Sequence, residues 1–262
     1  MTYIDSIILG AIQGLTEFLP VSSSGHLEIA NAILGISEDD SLLFAVALHG
    51  GTVLSTLVVF RKQILKLLKG LFRFEMNDET KFVLKILVSM IPVLIVGFTL
   101  KDKVEALFSG SLMIVGFMLL LTALLLWFSS VYKPKQRDLS YKDSFIIGLS
   151  QAVAVLPGLS RSGTTISTGL MLGVKREEVA PFSFLMVLIP ILGANFLELL
   201  DGGFSDATVD ASLILVGFLT SFITGTLACR MMIKVVAKGN LKWFALYCLL
   251  VGMTIIVVTA AK

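Results

Sequence analysis

Charged residues are scarce in this chain of 262 residues, since Asp, Glu, Lys and Arg together make up 15% of it, whereas 56% of the residues are hydrophobic. Apolar side chains in that proportion could not all be buried in one water-facing fold. The net charge is only +2, and the basic residues are spread over several segments, which excludes a concentrated nucleic-acid-binding face. The composition therefore predicts an all-α polytopic membrane protein with no nucleic-acid partner.

Cysteine is also scarce, and both cysteines, Cys229 and Cys248, lie inside apolar runs. We expect them to act as small packing residues rather than as a disulfide. The N-terminus, Met-Thr-Tyr-Ile-Asp, lacks the basic segment that begins a cleavable signal peptide. The first apolar segment is therefore expected to remain in the mature chain.

Long apolar runs predict six membrane crossings, because a helix needs about 20 apolar residues to span the hydrocarbon core. The runs are Leu42–Phe60, Phe82–Leu100, Leu112–Ser130, Val179–Leu200, Leu213–Met232 and Trp243–Ala261. Polar or charged segments separate them. These six segments are the predicted transmembrane helices.

Two further apolar regions contain shorter segments interrupted by proline. Ile7–Phe18 would form only about 18 Å of helix, so we interpret it and Gly25–Leu34 as the two arms of a re-entrant hairpin that turns at Pro20–Ser24. Such irregular backbone at membrane depth must be covered by protein or face a water-filled cavity. Tyr141–Leu172 repeats the pattern, with Pro157 before its serine-rich turn. Two re-entrant hairpins are therefore predicted.

The two hairpins are related by a constant offset of 138 positions without gaps. Identical pairs include Tyr3/Tyr141, Asp5/Asp143, Gly10/Gly148, Gln13/Gln151, Ser22/Ser160, Ser24/Ser162, Gly25/Gly163 and Gly35/Gly173. Because three predicted crossings separate them, the second repeat enters the membrane from the opposite side. We expect residues 1–262 to form one membrane domain with inverted repeats at about 3–130 and 141–262.

Loop charge predicts the orientation, since cytoplasmic loops carry an excess of Lys and Arg. Sixteen basic loop residues fall on one side of the predicted topology, and three fall on the other. The sixteen lie in Arg61–Lys81, Tyr132–Lys142, Lys175–Arg176 and Arg230–Lys242. Both termini are therefore expected outside, with the first hairpin dipping in from the outer face and the second from the cytoplasm.

The turn of the first hairpin holds polar groups that the fold itself does not require. An ionised group at membrane depth costs from about 2.5 kcal/mol upward, which makes Glu17 a functional candidate. Pro20 breaks the helix, and a helix restarting at the serines presents free N–H groups and the positive end of its dipole. Such an end binds phosphate, so Ser22, Ser24 and Gly25 are candidate phosphate-binding residues.

The second turn holds an arginine between two serines. The planar guanidinium of Arg161 is suited to binding phosphate oxygens in pairs. An alternative is an ion pair with Glu17 that only holds the hairpins together. The neighbouring candidates for phosphate binding are Ser160, Ser162, Gly163 and Thr164.

The repeats have diverged at three positions that carry chemistry. Glu17 corresponds to Val155, Ser23 to Arg161 and His26 to Thr164. The acid, the imidazole and the guanidinium each occur once in the pair of turns. This divergence predicts that the duplicated scaffold holds one asymmetric site.

Three other side chains are compatible with more than one role. Gln13 and Glu17 are spaced i, i+4, so they share a helix face and could hold a hydrated divalent cation. Gln13 could equally make an interhelical hydrogen bond, because the second repeat has a glutamine, Gln151, at the same position. His26 could exchange a proton near neutral pH or be a packed hydrogen-bonding residue. His49, in the middle of a crossing, could line the cavity and is not predicted to be catalytic.

Two long motifs resemble the signatures of the undecaprenyl pyrophosphate phosphatase family associated with bacitracin resistance. They read Gln-Gly-Leu-Thr-Glu-Phe-Leu-Pro-Val-Ser-Ser-Ser-Gly-His and Leu-Pro-Gly-Leu-Ser-Arg-Ser-Gly-Thr-Thr-Ile-Ser, and the resemblance extends over the whole chain. It implies a multi-pass protein of the bacterial plasma membrane. It also implies hydrolysis of a C55 isoprenyl diphosphate lipid to phosphate and the monophosphate carrier that peptidoglycan synthesis reuses.

The resemblance also implies residue roles. Glu17 falls at the essential acid, Ser23 at the proposed nucleophile, His26 at the proposed acid/base and Arg161 at the phosphate-binding arginine. The family requires a divalent cation, Mg²⁺ or Ca²⁺. Many members have Glu where this chain has Gln13, so a metal site of two carboxylates at these positions is not expected here.

Several alternatives remain open at this point. Ser23 could attack phosphorus directly, or water could attack with His26 as the base. Inverted repeats with broken helices are also typical of secondary transporters, so a secondary transporter or flippase for a phosphorylated lipid or another anion is the competing function. The head group is expected to enter from the outer, periplasmic face. The residues do not decide the oligomeric state, and a homodimer stays open.

Overall fold

The computed structural model describes residues 1–36, 38–99, 111–132, 136–193 and 210–261. Within these ranges the only β pairing is an isolated bridge between Arg137 and Val174. The helices are α1 (Tyr3–Phe18), α2 (Ser23–Leu34), α3 (Glu38–Val59), α4 (Arg61–Leu71), α5 (Asp78–Thr99), α6 (Leu112–Val131), α7 (Tyr141–Val153), α8 (Arg161–Met171), α9 (Arg176–Met186), α10 (Ala211–Lys238) and α11 (Lys242–Ala260). The predicted all-α class is confirmed.

Four of these helices are long and apolar enough to cross a membrane, namely α5, α6, α10 and α11. Each lies where an apolar run predicted a crossing. The bent pair α3 and α4, with 72° between Phe44–Val59 and Arg61–Leu71, counts as a fifth candidate. The sixth predicted crossing, Val179–Leu200, lies partly outside the described residues. The chain is therefore a helical multi-pass membrane protein.

The segment Arg61–Lys81, expected as a loop, begins with the helix α4. Its basic residues occupy one side, and its leucines recur at helical spacing, with Leu65 and Leu68 56% and 45% exposed. A basic amphipathic helix of this kind is typical of the membrane interface. The expectation of a loop was wrong for Arg61–Leu71 because the basic residues alternate with apolar ones at helical spacing.

The first helices of the two predicted hairpins begin with the same capping box. Thr2 Oγ1 accepts a hydrogen bond from Asp5 N, and the Asp5 carboxylate accepts one from Thr2 N at 2.7 Å. Ser140 and Asp143 make the same two bonds, 138 positions later. Two unpaired N–H groups are thereby satisfied at the start of both α1 and α7.

Close helix crossings hold these first helices in place. A methyl group at Gly14 would lie 2.0 Å from Thr224 Oγ1, so α1 packs directly on α10. A methyl group at Gly148 would lie 2.2 Å from Ser89 O, so α7 packs equally closely on α5. Small residues allow such backbone contact between helices in membranes. Each hairpin therefore packs on a long helix from the other half of the chain.

The core lies among α6, α8, α9, α10 and α11. Leu119 and Leu126 of α6 are fully buried, and so are Cys229 and Cys248. Both cysteines are free thiols, as expected of packing residues. This core supports the second turn, because Thr122 Oγ1 accepts a hydrogen bond from Ser160 N at 3.2 Å.

Candidate active site between the two turns

The first turn connects α1 to α2 through residues 19–22. Ser22 caps α2 by accepting a hydrogen bond from Gly25 N at 3.2 Å. Its φ of 72° is unusual for a residue other than glycine and costs about 1 kcal/mol or more. The tight turn that results leaves the N-terminus of α2 beside the end of α1.

The second turn connects α7 to α8 and uses the equivalent serine. Ser160 caps α8 by accepting a hydrogen bond from Gly163 N at 3.0 Å. Here the left-handed position is Gly158, with φ of 86°, where glycine carries no steric penalty. Both turns therefore end in a serine-capped helix N-terminus, but they differ in where the backbone reverses.

The two turns are in direct contact. Gly158 N donates to Ser24 Oγ at 3.4 Å, and Ser162 Oγ donates to Leu19 O at 3.3 Å. Segments more than 130 positions apart in sequence therefore form one structural unit.

Glu17 lies at the centre of this unit and is contacted by three predicted site residues. Its Oε2 accepts hydrogen bonds from Ser23 Oγ at 2.6 Å and from Gln13 Nε2 at 3.0 Å. Its Oε1 accepts one from Arg161 Nη2 at 3.1 Å. The Glu17 side chain is only 10% exposed, so pairing with the guanidinium offsets the cost of burying its charge.

His49 of α3 also approaches this carboxylate, which the sequence did not predict. Its Nε2 lies 3.8 Å from Glu17 Oε2, and its Nδ1 lies 2.9 Å from Ala45 O. A carbonyl oxygen can only accept, so Nδ1 carries a proton and Nε2 faces the carboxylate. The available signal was a histidine in the middle of an apolar crossing, followed by two glycines.

His26 lies near the start of α2, and its ring makes hydrogen bonds to groups other than Glu17. Its Nδ1 lies 2.8 Å from Ser22 O, and its Nε2 lies 2.8 Å from Tyr247 Oη, with the two rings stacked at 5.6 Å. Both ring nitrogens are therefore engaged outside the Glu17 cluster. In this arrangement His26 ties α2 to α11.

A cavity of about 310 Å³ opens between the turns. It is within the size range of ligand sites. The charged and hydroxyl side chains that line it are Thr16, Glu17, Ser22, Ser23, Ser24, Glu28, Ser160, Arg161 and Ser162. Most residues predicted from the two motifs thus share one cavity, while Gly25 and Gly163 lie at the helix starts.

Glu28 is a second residue that the sequence analysis missed. It lies in the apolar arm of α2, where the rule that identified Glu17 could have identified it as well. Thr164, predicted to bind phosphate, is buried, and its Oγ1 has no hydrogen-bond partner in the described part of the chain.

The arrangement suits a phosphate group. Two helix N-termini and a guanidinium attract anions, and the Ser23 hydroxyl already donates to a carboxylate that could take its proton. Gln13 Oε1 is buried and lacks a partner among the described residues, and an amide oxygen is a ligand suited to Mg²⁺ or Ca²⁺. The Gln13 amide faces Glu17 through its Nε2, and Gln13 does not line the cavity. No group of three His, Cys, Asp or Glu residues forms a metal site within the described ranges.

Comparison with known proteins identifies the family. The family model described as "Bacitracin resistance protein BacA" matches residues 6–254. Curated relatives named undecaprenyl-diphosphatase include those of Bacteroides thetaiotaomicron, 54% identical over 98% of this chain and 99% of the relative, and of Christiangramia forsetii, 50% identical over the full length of both. A relative of that name from Methanosphaera stadtmanae is 39% identical over 98% of both chains. The chain therefore belongs to the bacitracin resistance protein BacA family.

Proposed function

We propose that this protein is an undecaprenyl-diphosphatase. It hydrolyses undecaprenyl diphosphate to undecaprenyl phosphate and phosphate, and so recycles the lipid carrier of peptidoglycan synthesis. The observation that carries the proposal is the contact of Glu17 with both Ser23 and Arg161, because it joins a hydroxyl, a base and an anion-binding group. The names of the relatives support the same activity.

The diphosphate head group binds in the cavity between the turns. Arg161 and the N–H groups at the starts of α2 and α8 bind its phosphate oxygens, and electrostatic stabilisation of this kind is the largest contribution to the catalysis of phosphoryl transfer. The residues proposed to bind phosphate are Ser22, Ser24, Gly25, Ser160, Ser162, Gly163 and Thr164. Thr164 is supported by its buried hydroxyl, which lacks a partner in the part of the chain that the structure describes.

In the proposed reaction Ser23 Oγ attacks the terminal phosphorus while Glu17 accepts its proton. The bond from phosphorus to the bridging oxygen breaks, and undecaprenyl phosphate leaves. Water then hydrolyses the phosphoserine and regenerates Ser23. The 2.6 Å contact supports Glu17 as the base. The alternative, with His26 as the base for an attacking water, would require His26 to leave its contacts with Ser22 and Tyr247.

A divalent cation, Mg²⁺ or Ca²⁺, is part of the proposal. Glu17 and Gln13 would hold it, and it would screen the charge of the phosphate oxygens. The orphaned Gln13 Oε1 supports this assignment. Excess chelator is expected to abolish phosphate release, and adding back either cation to restore it.

The proposed topology has six transmembrane helices and two re-entrant hairpins in inverted repeats at about 3–130 and 141–262. Two observations support this topology. The first helices of both hairpins have matching N-terminal caps, and the helices of the hairpins are short, with 16 residues in α1, 12 in α2, 13 in α7 and 11 in α8. Both termini lie outside the bacterial plasma membrane, and the site opens to the periplasmic face. A homodimer is compatible with this arrangement, and nucleic acid is not a partner.

Phosphate release in detergent tests the function directly. Purified protein mixed with farnesyl diphosphate and Mg²⁺ should release phosphate, and Ser23→Ala should not. Ser130→Ala, which removes a hydroxyl bonded within α6, is the matched control and should retain activity. A transporter would release no phosphate in this assay, because it has no chemistry to perform and no membrane to move substrate across.

A further inference from the structure

Glu28 is a carboxylate on the cavity wall that the proposed reaction does not use. It follows Ser24 by one helical turn on α2, and both side chains line the cavity with Glu17 and Arg161. Glu28 is partly buried, and it makes no hydrogen bond or ion pair within the described ranges. A carboxylate that is free of partners and faces the diphosphate site is available to a ligand.

The charges of the cavity require a mobile cation when substrate binds. Arg161 and Glu17 neutralise each other, and Glu28 adds one negative charge when it is ionised. The two helix N-termini each contribute about +0.5 of a charge. These contributions together are close to zero, so the multiply negative diphosphate would enter without a balancing charge. Uncompensated charge is costly in such surroundings, and a divalent cation entering with the diphosphate removes that cost.

Two carboxylates, Glu17 and Glu28, are among the side chains that line this cavity. Gln13, which donates a hydrogen bond to Glu17, offers a buried oxygen without a partner among the described residues, but no charge. Affinity of oxygen sites for Mg²⁺ and Ca²⁺ depends on the number of charged ligands. We infer that Glu28 is the second carboxylate that binds the divalent cation accompanying the diphosphate. The inference rests on the proposed function, since it concerns the same site.

Binding of Mn²⁺, followed by its electron paramagnetic resonance signal, tests the inference without turnover. The full-length protein is titrated with Mn²⁺ in the presence of a non-hydrolysable methylene analogue of farnesyl diphosphate. Glu28→Gln should weaken Mn²⁺ binding at least about tenfold. Glu75→Gln, an exposed carboxylate beyond α4, is the control and should leave it unchanged. Adding Gln13→Glu to Glu28→Gln should restore most of the affinity.

Unchanged or tighter Mn²⁺ binding by Glu28→Gln would overturn the inference. If that variant does not fold, anomalous diffraction from Mn²⁺-soaked crystals of the natural protein decides. A peak within bonding distance of the Glu28 carboxylate supports the inference, and a peak elsewhere in the cavity overturns it. The proposed function fails separately, if the natural protein binds Mn²⁺ and releases no phosphate from farnesyl diphosphate.

Discussion

Arg161 Nη2 lies 3.1 Å from Glu17 Oε1, although 144 positions separate the two residues in the sequence. Each residue comes from a different hairpin, and neither is repeated, since Val155 is the equivalent of Glu17 and Ser23 is the equivalent of Arg161. This ion pair adds to the hydrogen bonds from Gly158 to Ser24 and from Ser162 to Leu19, which also join the two hairpins. The following predictions test its consequences.

Arg161→Lys should lower kcat/KM by about a hundredfold or more. Lysine keeps the charge but loses the planar fork that binds phosphate oxygens in pairs, and removing one such donor typically costs that much. Phosphate release from farnesyl diphosphate measures the effect. Arg73→Lys, at an exposed arginine, is the control. Equal activity of the two variants would exclude Arg161 from phosphate binding.

Ser23→Ala should lower kcat at least about a thousandfold, because it removes the proposed nucleophile rather than a binding contact. Acid quenching of the natural protein with substrate labelled at the terminal phosphate should trap a labelled phosphoserine at Ser23. Ser24→Ala should still form it. A Ser23→Ala protein that kept most of its turnover would exclude the covalent route and favour direct attack by water.

His49→Leu should lower kcat/KM about tenfold, because Glu17 loses a neighbour 3.8 Å away that helps to hold its carboxylate. His49→Gln keeps a polar atom of similar reach and should lose less. Thermal unfolding of both variants in detergent checks that the fold is intact. If both variants match the natural protein in rate, the contact of His49 with Glu17 does not contribute to catalysis.

Gly14→Ala should destabilise the protein by about 1–3 kcal/mol, since its new methyl group would overlap Thr224 and force α1 away from α10. Gly97→Ala is the matched control in α5, because a methyl group there meets nothing within 4 Å in the described structure. Alanine favours the helix by up to about 1 kcal/mol, so this control should be neutral or stabilising. The free energy of unfolding in SDS measures both. Similar values for the two variants would contradict the close crossing.

The fold could be predicted where one property of the sequence decides it. The length of an apolar run predicted α5, α6, α10 and α11, because spanning the hydrocarbon core requires that length. The helix α4 was missed, since its basic residues were counted as loop charge while its leucines kept a helical period. Basic residues add the same positive charge whether they lie in a loop or in a helix at the membrane interface. Counting them therefore could not distinguish a helix from a loop.

The site could be predicted in part for a similar reason. Divergence between the repeats identified Glu17, Ser23 and Arg161, which the structure brings together. Glu28 also differs from its equivalent in the second repeat, Ile166, so the same comparison could have identified it, whereas His49 lies outside the compared hairpins. Whether a helical side chain reaches the site depends on the rotation and packing of its helix. The direction of the His26 ring, toward Tyr247, depends on the same packing.

The central claim is that the two turns act as one site on the diphosphate, and a double-mutant cycle tests it most directly. Glu17→Gln, Arg161→Gln and the double variant are compared by kcat/KM for phosphate release from farnesyl diphosphate. Residues that act as a unit are strongly non-additive, so the double variant should be about as slow as the slower single variant. Two rate losses that multiply in the double variant would show independent actions and contradict the account.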